Sequence, residues 1–269
     1  MWDKLAFEIW ILPNNLRTAF EKAATLLKTN YFDILCLNLQ RELEELIKDL
    51  ALGAPYEKFI ERVKEMDLIK EPISSWEHRI KPILLAVRGL KLRRPNLRII
   101  CYRSSLAENL SIKNATRVAT LTFRVNSTGK ISVEEWRSLI YKLMDETNKL
   151  IGEEANYLLE TLSNLPLGEK AKAVCTSDFT GKSLMENLKK IGVKASLRYI
   201  FTPYYFTPLE VLMRKAAKEI RDGSEINDED LIRLVKLHAE YVREYVLTSM
   251  DYDSAYFRWV KDKRFAEYF

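Results

Sequence analysis

The feature that most constrains the fold is an alternation between short apolar runs and helix-like segments. Continuous apolar runs of this length are typical of strands that are buried on both faces. A strand–helix–strand order joins parallel strands by right-handed crossovers. The strands are predicted at about 6–12, 32–39, 97–102, 172–176 and 195–201. We therefore predict an α/β fold with a mostly parallel sheet flanked by helices.

The rest of the chain has a helical pattern. A helix-rich insertion is predicted at about 104–165 and a helical C-terminal region at about 207–269, within a single α/β domain of residues 1–269. Residues 116–125 fit either a strand or a helix. Several helix starts carry capping residues. The expected caps are Asn14 or Asn15, Ser74 with Glu77, Ser132 with Glu135, Thr207 with Glu210, and Asn227.

Composition excludes several classes of protein. The 269 residues are 47% hydrophobic and 30% charged with few Gly and Pro, which is typical of a folded protein and argues against disorder. No apolar window is long enough for a membrane span, and the first residues lack a signal-peptide layout, so we expect a cytoplasmic protein without membrane contact. A single Gln among many Lys, Glu and Arg fits a thermophile.

Cysteine and histidine offer little chemistry. Cys36, Cys101 and Cys175 each lie in an apolar run, and we predict that all three are buried in strands. His78 and His238 are far apart in helical patterns, and no metal-ligand spacing accompanies them. We therefore predict no metal and no cofactor, and a surface or half-buried position for both histidines.

Positive charge is concentrated in one segment. Residues 79–130 contain twelve Lys or Arg and one acid, a net charge of +11, so the rest of the chain carries −6. Either this segment meets a polyanion, or acidic helices elsewhere in the fold neutralise it. In the first case nucleic acid is the expected partner. The predicted nucleic-acid-binding residues are Arg88, Lys91, Arg93, Arg94 and Arg98.

A second set of residues follows two predicted strands. Ligands of open α/β folds bind beyond the carboxyl ends of the strands, where hydroxyls, a helix start and cations can hold an anion. The predicted anion-binding residues are Arg103, Ser104, Thr180, Gly181, Lys182 and Ser183. The run from Thr176 to Ser183 nearly matches a P-loop, but Thr176 stands where the motif has its first glycine. No apolar strand elsewhere in the chain ends in the Asp that a Walker B motif requires. A plain polar turn with a helix cap is the alternative.

Three segments resemble a known superfamily in their layout. They are FEIWILPNN, FDILCLNLQRELEELI and KAVCTSDFTGKSLMENLKKIGV. The TraB/Tiki superfamily, which includes ChaN-like proteins, has a first strand ending in a Gly-x-x-His-type motif, a second strand leading into Glu-Leu, and a late second Gly-x-x-His-type strand. At the family's two histidines and its strand glutamate this chain has Asn15, Phe179 and Asn38, and Thr176 stands at the later glycine. The resemblance thus implies a catalytically inactive relative that is retained for binding.

The C-terminal region is rich in aromatic residues. Residues 241–269 contain nine of them, several on one helical face. Core packing is the first interpretation, and a protein interface or self-association is the alternative, because Tyr and Trp are common interface anchors. The nine aromatic residues are Tyr241, Tyr245, Tyr252, Tyr256, Phe257, Trp259, Phe265, Tyr268 and Phe269.

The leading functional expectation is a non-catalytic α/β protein that binds an anion or nucleic acid through the basic segment and the turn after the fourth strand. The alternatives are a nucleotide or phosphometabolite sensor and a scaffold subunit of a larger complex. A hydrolase or nuclease ranks last, because Asp178 is the one convincing carboxylate at a predicted strand end.

Overall fold

The computed structural model describes residues 5–166, 168 and 170–262. Its centre is a five-stranded, all-parallel sheet, which confirms the predicted fold class. The strands are β1 (Leu5–Ile11), β2 (Ile34–Gln40), β3 (Arg98–Arg103), β4 (Ala171–Ser177) and β5 (Lys194–Tyr199). Their order in the sheet is β3-β2-β4-β1-β5, so β1 and β4 are neighbours although 159 residues separate their ends.

Helices account for most of the remaining chain. They are α1 (Arg17–Thr29), α2 (Glu44–Ala51), α3 (Tyr56–Glu65), α4 (Ile73–Val87), α5 (Leu90–Arg93), α6 (Ser105–Thr128), α7 (Val133–Ser163), α8 (Gly181–Lys190), α9 (Pro208–Arg221), α10 (Asp228–Tyr241) and α11 (Tyr252–Asp262). A short 3-10 turn precedes α2, and a π-helical turn follows α10. The ambiguous residues 116–125 lie within α6 and are helical.

Both faces of the sheet are buried, as expected for a parallel sheet. On one face, the strand side chains form a cluster with the C-terminal part of α7 and with α8. The alternate strand residues Trp10, Leu35, Cys101 and Val174 point the other way and are buried too. The predicted burial of Cys36, Cys101 and Cys175 is confirmed.

The connections after β1 and β4 run in opposite directions along the sheet. From β1 the chain passes through α1 to β2, and from β4 it passes through α8 to β5. Because parallel crossovers are right-handed, α1 and α8 lie on opposite faces. The loops that follow β1 and β4 therefore diverge at the carboxyl edge of the sheet, which is where open α/β folds of this topology bind ligands.

The chain forms two compact units. Unit 1 spans Met1–Asn109 and Asn148–Thr202 and contains the sheet, and unit 2 spans Leu110–Thr147 and Pro203–Phe269. The boundaries after Asn109 and Thr147 fall within α6 and α7. Unit 2 is helical and has its own apolar core, which includes Trp136, Leu212 and Leu234. No described helix combines the length and the hydropathy that crossing a bilayer requires.

The predicted caps have mixed outcomes. Thr207 and Glu210 form a complete capping box with Pro208 in the first turn of α9, and Asn227 accepts a hydrogen bond from the Glu229 N–H at 2.7 Å. Ser132 Oγ accepts the Glu135 N–H at 3.4 Å, so this cap is also present.

Two predicted caps are wrong. Helix α1 begins after Leu16, which has no side-chain cap, because Asn14 hydrogen-bonds to a distant loop instead. Helix α4 begins after Pro72, so Ser74 lies inside the helix, and the Glu77 carboxylate accepts the Tyr56 hydroxyl.

Candidate functional site at the carboxyl ends of the strands

A hydrogen bond joins the two loops that diverge at the carboxyl edge of the sheet. Asn14 Nδ2, after β1, donates to Asp178 Oδ2, after β4, over 3.0 Å. The other carboxylate oxygen of Asp178 accepts the Thr180 N–H at 2.8 Å. Asp178 therefore connects the β1 loop to the start of α8, and its carboxylate lies at the point where the two crossovers diverge.

Gly181 serves packing at this point. It begins α8, and a Cβ added to it would lie 2.4 Å from Ile11 Cδ1 and 3.0 Å from Ser177 Cβ. Its N–H donates to the Asp178 backbone carbonyl at 3.0 Å. Glycine thus allows the helix to approach β1 and β4 closely, as the third glycine does in many nucleotide-binding α/β turns.

The predicted anion-binding residues of this loop differ in accessibility. The N–H groups of Thr180 and Gly181 already donate to Asp178. The Lys182 side chain is exposed, and Ser183 is half-buried. A ligand at this loop would therefore not be bound by the Thr180 and Gly181 N–H groups, because both already have acceptors.

Thr176 also departs from a P-loop. Its Oγ1 accepts the Asn38 N–H at 3.2 Å, and its carbonyl accepts the Tyr102 hydroxyl at 2.8 Å. These contacts tie β4 to β2 and β3. Burial raises the pKa of the Tyr102 phenol well above its ordinary value, so this hydroxyl stays a donor. Thr176 stabilises the sheet edge and leaves no cradle for a phosphate.

Arg103 ends β3 on the same edge. Its Nη1 donates to Asn38 Oδ1 over a long 3.5 Å, and its Nε is buried without a partner. Among the described residues, the Arg103 guanidinium has no other hydrogen bond or ion pair. The next residue, Ser104, is buried, and its Oγ accepts the Leu106 N–H at the start of α6.

Sequence reasoning missed Glu154. This residue of α7 is only 9% exposed and lies near Arg103, Asp178 and the Ser104 N–H. Burial raises the pKa of its carboxyl to about 7, Arg103 partly opposes that rise, and Asp178 adds to it. The sequence does contain a signal for its burial, because Glu154 shares the apolar face of α7 with Ile151, Ala155 and Leu158.

The second predicted set lies at the other end of β3. Arg98 begins this strand and Arg103 ends it, so the six-residue strand separates the two sets. Arg88 Nε donates to the Ala54 carbonyl, and Arg94 stacks on the Phe32 ring with Nη1 buried. Lys91 is half-buried, and Arg93 and Arg98 are exposed.

The basic segment is partly neutralised. Arg79 pairs with Glu71, and Arg124 pairs with Glu135. The segment is also divided, because residues 79–109 belong to unit 1 and residues 110–130 to unit 2. The +11 charge of the sequence segment is therefore partly offset by acids and divided between the two units.

A pocket of about 340 Å³ opens near the amino ends of β2, β3 and β4. Asp33 and Arg98 line it. The Asp33 carboxylate already accepts the Lys172 N–H at 2.9 Å and the Tyr31 hydroxyl at 2.9 Å. Asp33 thus holds the strand start in place.

The aromatic residues of the C-terminal region pack inside unit 2. Tyr241, Tyr245, Tyr256 and Trp259 are buried, and Tyr204 stacks on Tyr256 with the ring centroids 5.2 Å apart. Of the nine predicted rings, Phe265, Tyr268 and Phe269 lie outside the described residues.

His238 is buried, contrary to the sequence expectation, because it lies on the apolar face of α10. Desolvation lowers its pKa to about 4, so its ring is neutral at pH 7.

Comparisons with known proteins add no identity. No protein-family model, curated protein or solved structure matches the chain. The resemblance to the TraB/Tiki superfamily therefore stays a prediction. Within the part of the chain that the structure describes, no three His, Cys, Asp or Glu residues are grouped as metal ligands.

Proposed function

We propose that unit 1 binds a small phosphorylated ligand, a nucleotide or another phosphometabolite, at the carboxyl edge of the sheet. The observation that carries the proposal is the Arg103 guanidinium, which is half-buried and makes one long hydrogen bond. Planar guanidinium groups bind phosphate oxygens in pairs, and a poorly satisfied guanidinium at a strand end is suited to this task.

The neighbouring groups suit the rest of such a ligand. Asn14 and Asp178 lie at the divergence of the two loops, where open α/β folds bind ligands. Carboxylate and amide oxygens accept hydrogen bonds from hydroxyl or amino groups, such as those of a ribose or a base. The exposed Lys182 adds a second cation.

Two acids argue against a long polyanion at this edge. Glu154 lies near both Arg103 and Asp178, and the two acids would repel a continuous phosphate backbone. A ligand with one phosphate group and several hydrogen-bond donors matches this mixture of charges better.

The test is a thermal-shift screen of nucleoside phosphates, sugar phosphates, inorganic phosphate and sulfate. At least one of these should raise the unfolding temperature of the wild-type protein. Arg103→Ala should abolish the rise, and Arg103→Lys should reduce it, because Lys keeps the charge but loses the paired donors. Arg98→Ala, at the other end of the same strand, is the matched control and should keep it. If Arg103→Ala responds like the wild type to every compound, the proposal is wrong.

Nucleic-acid binding is the second candidate. Arg93 and Arg98 are exposed and, like Lys91, have no acidic partner among the described residues. Fluorescence anisotropy with a labelled single-stranded RNA and a DNA duplex, over a salt series, tests this surface. The double variant Arg93→Glu, Arg98→Glu should weaken binding, and Arg94 is left intact because it stacks on Phe32. Equal affinity of variant and wild type would remove this candidate.

A further inference from the structure

Arg103 and Glu154 form a charge pair that lacks direct contact. Glu154 is almost fully buried, and no described side chain donates a hydrogen bond to its carboxyl group. Arg103 is close enough to favour the ionised carboxylate without forming an ion pair with it. Helix α7 and strand β3 thus hold the two groups near each other, with Arg103 Nε buried without a partner and the Glu154 carboxyl supported by the Ser104 N–H.

An anion that binds Arg103 would change the electrostatic environment of the Glu154 carboxyl group. The guanidinium would then be shared with a phosphate oxygen, and a new negative charge would lie near a buried carboxylate. Two like charges in a site of low dielectric constant disfavour each other strongly. Protonation of the carboxyl group removes this repulsion.

We propose that binding of a phosphorylated ligand at this edge is coupled to the uptake of one proton by Glu154. The inference rests on the proposed function, since it concerns the same site. Ligand affinity then depends on pH near neutrality, and the protein releases the ligand as the pH rises.

The other charged groups around Glu154 have partners that hold them in place. Asp178 accepts hydrogen bonds from Asn14 and from the Thr180 N–H. Glu153, the preceding residue of α7, forms a bidentate pair with Arg41, which also donates to the Tyr102 carbonyl. Glu154 is the acid of this group that no side chain satisfies, and it is therefore the group that responds to a ligand.

The direction of the effect follows from the charges. The free protein has a Glu154 pKa of about 7, and a bound anion raises that pKa further. The complex therefore holds more protons than the free protein above pH 7. Affinity should be highest below pH 7 and should fall by up to about tenfold per pH unit above it.

Sulfate is the probe, because its charge does not change between pH 6 and pH 8.5. Calorimetric titrations at several pH values should give a dissociation constant that rises with pH for the wild type. Glu154→Gln should bind sulfate with the same affinity at every pH. Glu160→Gln, an exposed acid on the same helix, is the control and should keep the pH dependence. Titration of the wild type in buffers of different ionisation enthalpy measures the proton uptake without any variant.

Each outcome decides between the two proposals. Sulfate binding that requires Arg103 but has the same affinity from pH 6 to pH 8.5, without proton uptake, would overturn the coupling and leave the proposed function intact. A sulfate affinity that still depends on pH in Glu154→Gln would also overturn the coupling. If the wild type and Arg103→Ala respond identically to sulfate at every pH, the coupling is wrong. The thermal-shift screen of phosphorylated compounds would then decide the proposed function by itself.

Discussion

At the level of single residues, the carboxyl edge depends on partners that are distant in the chain. Asn14 contacts Asp178 across 164 positions, and Glu154 lies beside Arg103. The sequence predicts Arg103, Ser104 and the loop after β4, because strand ends can be read from apolar runs. Asn14 and Glu154 take their roles from the order of the strands, which local patterns do not reveal.

Glu154 should make stability depend on pH. Its pKa is raised from 4.5 to about 7 in the folded protein, so the folded state holds more protons than the unfolded state between these values. Stability contributed by this group is therefore present at low pH and is lost as the pH rises from about 4.5 to 7. Glu154→Gln should be more stable than the wild type at pH 8, by about 1–3 kcal/mol.

Urea unfolding at pH 5 and pH 8 checks this prediction. The advantage of Glu154→Gln should shrink at pH 5, where the wild-type carboxyl is protonated. An equal difference at both pH values would show that burial does not raise the pKa of Glu154.

Gly181 should tolerate no larger residue. A Cβ at this position would meet Ile11, Ser177 and Ile9 at 2.4–3.1 Å, so Gly181→Ala should lose about 1–3 kcal/mol of stability. Gly152→Ala is the matched control, because Gly152 lies in α7 with open space around it. That change should gain up to about 1 kcal/mol. Thermal or urea unfolding of both variants measures these changes. A Gly181→Ala variant with the stability of the wild type would contradict the close packing inferred at this position.

At the level of elements, the sequence predicts strands and helices well and helix starts less well. All five strands form within a few residues of their predicted places, because buried parallel strands have continuous apolar runs. Ser74 and Glu77 have the capping-box spacing, yet Tyr56 binds the Glu77 carboxylate and the helix begins at Ile73. A cap depends on where tertiary packing starts the helix, and spacing alone does not fix that residue.

The Thr207–Glu210 and Ser74–Glu77 spacings should therefore respond differently to mutation. Thr207→Ala removes a cap that the Glu210 carboxylate completes, so about 1 kcal/mol of stability should be lost. Thr207→Ser keeps the hydroxyl and should lose less. Ser74→Ala should change stability by less than about 0.5 kcal/mol, because Ser74 is exposed and caps nothing. Similar losses for Thr207→Ala and Ser74→Ala in urea unfolding would contradict this assignment.

At the level of the whole molecule, the positive segment seen in the sequence is divided between the two units and is partly neutralised by acids. Chain folding places Arg98 and Arg103 at opposite ends of β3, pairs Arg79 with Glu71, and divides the segment between the two units. Net charge over a stretch of sequence therefore does not show where the positive side chains lie in the fold. The carboxyl edge of unit 1 combines cations, amides and acids, which suits a small ligand.

The most direct test of the central claim is to locate a bound anion. Anomalous diffraction from crystals soaked in selenate or tungstate, which mimic phosphate and scatter strongly, would show where the anion lies. The account predicts a peak within hydrogen-bond distance of the Arg103 guanidinium at the carboxyl edge of the sheet. Anions bound beside Arg93 and Arg98, with none at an accessible Arg103, would contradict it.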